Sequence, residues 1–269
     1  MPSADQGPPA LPRLHLPVSG TLTIDVYSDI HVGARGFLEA KFLKDIEETR
    51  VKGRYAVFNG DLFNAAMRDA KHGGVYEEVK NLDESIDFLD KLLEPLAQDD
   101  RILAITGGNH DGYAWNRAGI DPVRQLASRL HLAHRYMPHG GWVTTQHGVA
   151  RRTGTRDGQP RPIEYKGFFY HGTGNGASSA SVEKIAAKFG ADYYASGHTH
   201  APLVVTGERW DVYPQTDTVR VSPWVAGVGG SYLRYGGYAL EKTLTPRGNG
   251  KLTIMLADGT KDVDMRLPR

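Results

Sequence analysis

Residues 21–31 read Thr-Leu-Thr-Ile-Asp-Val-Tyr-Ser-Asp-Ile-His. The apolar and β-branched alternation over 21–27 predicts a strand, and that strand runs directly into Asp29-Ile30-His31. Side chains two apart at a strand end point to the same side, so Asp29 and His31 are expected to aim one oxygen and one nitrogen ligand into one site. Four more segments repeat the arrangement, each placing groups suited to a hard or borderline divalent cation after a short apolar strand. Asn59-Gly60-Asp61-Leu62-Phe63-Asn64 follows a strand at 55–58, and Gly108-Asn109-His110-Asp111 follows one at 102–105. Tyr170-His171-Gly172 ends a strand at 167–170, and Gly197-His198-Thr199-His200 follows one at 192–195. His198 and His200 repeat the spacing of Asp29 and His31. Together the five segments supply ligands for two metal ions and point to metal-dependent hydrolysis of phosphate esters.

Outward from these segments the period changes to that of helices. Residues 37–49 put Leu38, Phe42, Leu43 and Ile46 on one helical face, and 76–97 space Val79, Leu82, Ile86, Leu89, Leu92 and Leu93 by three and four. Shorter helices are expected at 123–130 and 182–189, and another strand at 142–149. After His200 the helical period stops. Residues 219–225, 251–256 and 263–267 alternate as strands, with Ala257-Asp258-Gly259 as a hairpin turn, so the C-terminal part reads as mostly antiparallel sheet. The order is that of α/β layering. We read residues 21–269 as one domain behind a loose, extended leader over 1–20, which carries Pro8, Pro9, Pro12 and Pro17.

Composition narrows the chemistry. The 269 residues are 40% hydrophobic and 23% charged, as in soluble globular proteins, with no run apolar enough to span a bilayer. A formal net charge of +1 gives no whole-chain attraction to a polyanion. The absence of cysteine removes disulfides, thiolate zinc sites and cysteine nucleophiles, leaving oxygen and imidazole as ligands. No membrane partner is expected and, because residues 1–20 lack a secretory pattern, a cytoplasmic location is.

Over residues 21 to about 200 the series resembles the calcineurin-like metallophosphoesterase superfamily, whose pattern is Asp-x-His, Gly-Asp, Gly-Asn-His-Asp or Glu, a later His, and Gly-His-x-His. The resemblance implies a four-layer α/β/β/α sandwich, two mixed sheets flanked by helices, with a dinuclear metal site at the carboxyl ends of the strands. It assigns Asp29, His31 and His200 to the first metal, Asn109, His171 and His198 to the second, and Asp61 to both. For the fifth position Gln146-His147-Gly148 is a rival; the more apolar strand at 167–170 and the helix after it favour His171. A hydroxide bridging the metals would attack phosphorus, with His110 as general acid beside Asn64 and Asp111.

In the protein phosphatase branch the Gly-Asp motif continues with an Asp that orients the catalytic His and an Arg that grips the phosphate. Here those positions are Asn64 and Ala65. Loss of a bidentate Arg weakens recognition of a doubly charged monoester more than of a singly charged diester, and Gly-Asp-Leu-Phe-Asn is similar to the phosphodiesterase and nuclease branches. The expected activity is therefore a phosphodiesterase acting on a nucleotide or nucleic-acid diester, with manganese as first metal and iron or zinc as alternatives. Asn64 is expected to reach His110 through its amide. The competing readings are a phosphomonoesterase and a binding scaffold without catalysis. Arg151, Arg152, Arg156 and Arg161 could touch substrate phosphates, Tyr232, Arg234 and Tyr235 within 227–237 could stack on a ring, and the Gly- and Ser-rich stretch 172–181 could leave room for substrate.

Overall fold

In a computed structural model the described residues are 13–16, 20–66, 78–148, 162–172, 179–236 and 247–268. Arg151, Arg152, Arg156, Arg161 and residues 173–178 lie outside them. The chain runs β1 (Arg13–His15), β2 (Leu22–Tyr27), α1 (Glu39–Thr49), β3 (Arg54–Asn59), α2 (Leu82–Gln98), β4 (Ile102–Thr106), α3 (Asp111–Ala118), α4 (Pro122–Arg129) and β5 (Tyr136–Met137). It continues through β6 (Gly141–His147), β7 (Ile163–Phe169), α5 (Ser179–Lys188), β8 (Tyr193–Ser196), β9 (Leu203–Tyr213), β10 (Thr218–Val228), β11 (Leu252–Leu256) and β12 (Val263–Arg266).

Two six-stranded mixed sheets form, in the orders β12-β11-β2-β3-β4-β5 and β1-β6-β7-β8-β10-β9. Alternation along each strand sends successive side chains into different apolar layers. Val26 and Val57 pack between the sheets with Tyr165, Tyr193 and Ile254. Their neighbours Tyr27 and Phe58 face outward onto Phe42 of α1, Leu89 of α2 and Leu126 of α4. On the far side Phe168, Tyr194 and Trp224 cover Val182 and Ala186 of α5. Three apolar layers between four layers of secondary structure are the α/β/β/α sandwich that the resemblance implies. Register matters for the site: Tyr27 is level with Phe58, Asn59 with Thr106, and Phe169 with Ala195, so the parallel strands of each sheet end together.

Several boundaries differ from the sequence reading. The helix expected over 76–97 starts at Leu82, because Asn81 accepts from the Glu84 N–H at 2.9 Å and Glu84 returns the bond to the Asn81 N–H at 2.8 Å. That capping box outweighs the apolar period upstream, and Val79 is left exposed ahead of the helix. Helix α3 was not anticipated: it is short, holds Gly112 and Asn116, and ends at Gly119 in the left-handed region. Within the expected loose leader, Arg13–His15 add a parallel edge strand to β6. The C-terminal hairpins divide between the sheets, β9–β10 in one and β11–β12 in the other.

Strand β8 pairs β10 only over Val225 to Val228. Beyond that, β9 and β10 continue as a two-stranded ribbon on which Trp210 is 69% exposed and Val212 67%. Among the described residues no helix is long and apolar enough to cross a membrane.

Candidate metal centre

All five motif loops meet at one end of the sandwich. Those after β2, β3 and β4 bring Asp29, His31, Asp61 and Asn109 from one sheet; those after β7 and β8 bring His171, His198 and His200 from the other. The loops are anchored by the apolar residues between the polar ones: Ile30, Val32, Leu62 and Phe63 are buried in the helix-facing core. The N–H groups of Asp29, Ile30, His31 and Val32 donate to carbonyls of Gly60, Asp61 and Leu62 at 2.9–3.1 Å, so the two loops continue the β2–β3 pairing past the strands.

The side chains do not converge in the expected way. Extended strand alternation was to align Asp29 with His31 and His198 with His200, yet Asp29 (φ 52°), His31 (φ 53°), Asp61 (φ 51°), His198 (φ 69°) and His200 (φ 51°) all occupy the left-handed region. A non-glycine residue there costs of order 1–3 kcal/mol and persists where its surroundings over-determine it. Five of the nine left-handed non-glycine residues among those described are gathered here, the clustering that strained functional sites show. Close approach adds a further demand, since a Cβ on Gly108 would collide with the Asp61 backbone and carboxylate.

Three groups of ligand atoms lie within 4.8 Å of one another: Asp29, His31 and His200; His31, Asp61 and His110; and Asp61, His171 and His198. His200 Nε2 is 3.1 Å from Asp29 Oδ1, and His171 Nε2 is 3.0 Å from Asp61 Oδ2 and 3.9 Å from Asp29 Oδ1. His31 Nε2 is 3.9 Å from Asp61 Oδ2. Asn109 joins the rim through its Oδ1, 2.7 Å from His198 Nδ1. Asp29 also accepts the His198 N–H, at 2.9 Å to Oδ2.

Burial and charge shape these groups. Burial acts to raise the Asp61 carboxyl, but His171 and then His31 outweigh it and hold it well below the usual range. Asp29 is lowered in the same way, burial being offset by His200 and His171. Burial acts to lower His171, yet Asp61 and Asp29 lift it to about 10. His31, desolvated first and only partly compensated by Asp61, is pushed down to about 3. A neutral, buried His31 has neither ring nitrogen hydrogen-bonded, and His171 Nε2 faces the Asp61 carboxylate, so orphaned and charge-paired imidazoles alike are gathered around two carboxylates. Divalent cations would satisfy them, so the residues present fit a metal pair.

The catalytic candidates are placed differently from one another. His110 is half-buried, its ring 4.6 Å from that of His31 and 5.1 Å from that of Tyr113, and its N–H donates to Asp61 Oδ1 at 2.8 Å. His110 Nδ1 meets the main-chain carbonyl of Asn64 at 3.2 Å; a carbonyl only accepts, so Nδ1 carries the proton. The expected contact from the Asn64 amide is not made, because that amide donates to Glu78 Oε1 at 3.2 Å. Asp111 is buried behind the loops, accepting N–H groups of Gly108 at 2.9 Å and Phe63 at 3.0 Å, with burial and then Asp61 pushing its carboxyl up to about 7. It ties the second loop to the third.

His147 lies at the other end of the sandwich. It is level with Ile163 at the start of β7, about 20 Å of strand from the loops, with its ring against Tyr165 at 5.3 Å. Tyr232, a candidate for stacking on substrate, is fully buried instead, its hydroxyl donating to Asp45 Oδ2 at 2.7 Å and its N–H to the Asp29 carbonyl at 2.9 Å. Asn59 and Glu78 received no role from the sequence. Asn59 stands inside the Asn-Gly-Asp motif, where its position beside Gly60 was the available signal.

The calcineurin-like phosphoesterase family model matches residues 22–202. Among solved structures the chain is similar to Vacuolar Protein Sorting 29 from Cryptosporidium parvum, with 14% identity, 92% of this chain and 98% of that one covered, and a TM-score of 0.44. It is similar to a metallophosphoesterase from Sphaerobacter thermophilus (14% identity, 91% and 87% covered, TM-score 0.42). A predicted phosphoesterase from Streptococcus pneumoniae TIGR4 shows 16% identity, 92% and 90% covered, and a TM-score of 0.37. No curated protein matches the chain.

Proposed function

The chain belongs to the calcineurin-like phosphoesterase family, whose members hydrolyse phosphate esters with metal ions, and on that premise we propose that it is a dinuclear phosphodiesterase acting on a nucleotide or nucleic-acid diester. The observation that carries the diester preference is Ala65. It stands one residue past Asn64, where the phosphatase branch has its phosphate-gripping Arg, and its methyl is buried in the helix-facing core.

Asp29, His31 and His200 would hold one cation, His171, His198 and Asn109 the other, and Asp61 would serve both. When bound, the cations lower the pKa of a water nucleophile and neutralise charge on the phosphate; manganese is our first choice. The protein's own part is proton delivery and positioning. With Nδ1–H held on the Asn64 carbonyl, His110 presents Nε2 to donate a proton to the leaving oxygen. Asp111 fixes the loops that carry Asp61 and Asn109. Strand β11, which pairs back onto β2 and carries β12 on its other edge, supports reading residues 21–269 as one unit.

The test is hydrolysis of bis(p-nitrophenyl) phosphate beside p-nitrophenyl phosphate by manganese-loaded protein, with a chelated control. The reading expects faster, metal-dependent cleavage of the diester. Faster cleavage of the monoester overturns it in favour of a phosphatase.

A further inference from the structure

We propose that Asn59 is a positioning residue that registers the ligands of one sheet against those of the other, with His171 as the group it sets. The proposal rests on the metal-centre reading above. Four of the assigned ligands hang from the β2–β3–β4 sheet and three from the β7–β8 sheet. The layer between the sheets is apolar, and apolar packing is non-directional, whereas a metal site must hold its ligands to within about 0.5 Å. A directional link across the layer is required at the site itself.

Asn59, the last residue of β3, is fully buried and supplies it. Its Nδ2 donates to the Tyr170 carbonyl at 3.0 Å, one residue past β7, and to the Ala195 carbonyl of β8 at 3.4 Å, each just ahead of a ligand loop. Two facing carbonyls can only accept, which fixes the amide group's orientation. On its other side Asn59 Oδ1 accepts from the Thr106 hydroxyl at 3.1 Å, tying in the strand before Asn109. The main-chain carbonyl of Asn59 then accepts Nδ1–H of His171 at 3.0 Å, which leaves Nε2 facing Asp61. Gly60 completes the seat, since a Cβ there would strike the His171 ring. Asn59 therefore holds His171 twice, by its ring and through the peptide before it. Outer contacts of this kind typically change metal affinity 10- to 100-fold when lost.

The experiment is manganese titration of the whole chain, wild type against Asn59→Leu and Thr106→Val, followed by calorimetry and by the electron paramagnetic resonance signal of a coupled manganese pair. Wild type should take two ions. Asn59→Leu should weaken one of the two steps by about 10- to 100-fold and lose the pair signal while the other step stays put. Thr106→Val, which keeps shape and removes only the hydroxyl, should shift the same step in the same direction by a smaller factor and decides the matter if Asn59→Leu does not fold. Unchanged steps, or both steps weakening together with a lower Tm, overturn the positioning role and leave the metal centre intact. A wild type that takes no manganese overturns the metal centre instead.

Discussion

The sandwich stops in two places that are built in opposite ways. At the carboxyl ends of β2, β3 and β7 charged and imidazole side chains are buried, those after β8 are half-buried, and five non-glycine residues of these loops sit in the left-handed region. At the far half of the β9–β10 ribbon the paired strands are regular and Asp217 in the turn between them is the one left-handed non-glycine residue (φ 49°), yet Trp210, Val212, Val219 and Val221 are left to solvent. The first end accepts backbone strain together with desolvated charge, which His200 beside Asp29 and His171 beside Asp61 offset. The second accepts exposed apolar surface at no geometric cost, because strand pairing with β10 already satisfies that side of the ladder. A cluster of strained residues around buried charge, more than burial alone, therefore sets the candidate metal centre apart from the ribbon.

Substitutions at the two ends should separate accordingly. Asp61→Ala removes the carboxylate shared by both ligand groups, so both ions should be lost and hydrolysis should fall to that of chelated protein; elemental analysis after dialysis checks it. A smaller effect is expected from His110→Ala, which should keep both ions and lower kcat by about 10²- to 10⁴-fold. Full activity in that variant would remove its acid role. Outside both regions, His147 is held below its ordinary pKa by burial, opposed by the Leu256 main chain and then by Asp258. The unfolded chain then takes up its proton first, so His147 costs stability as pH drops through about 6.5. The Tm of His147→Phe relative to wild type should rise from pH 8 to pH 5 by this linkage. Opposite shifts at His171 and His200 are common to both proteins and cancel, and a constant difference would refute the assignment. Least of all, Trp210→Ser on the ribbon should alter stability by no more than about 0.5 kcal/mol and leave metal content untouched.

The sequence could be read well where one signal dominated. Strands β2, β3, β4 and β8 were legible because apolar runs met motif residues, and the ligand loops because each motif closed such a run. How the ligands converge was not legible: alternation is a rule about extended backbone, and Asp29 and His200 leave it. Helix α3 was hidden by Gly112 and Asn116. The Asn64 amide was misplaced because its partner, Glu78, lies 14 residues away across a stretch with no periodic signal. Asn59 was quoted in its motif and passed over, since a cross-sheet bond to Tyr170 and Ala195 leaves no trace in local spacing.

The central claim is that the seam between the sheets holds two cations about Asp61. Anomalous diffraction from a manganese-loaded crystal tests it most directly. The account predicts two peaks, one beside Asp29, His31 and His200 and one beside His171 and His198, with Asp61 between them. A single peak, or peaks at other residues, would contradict it.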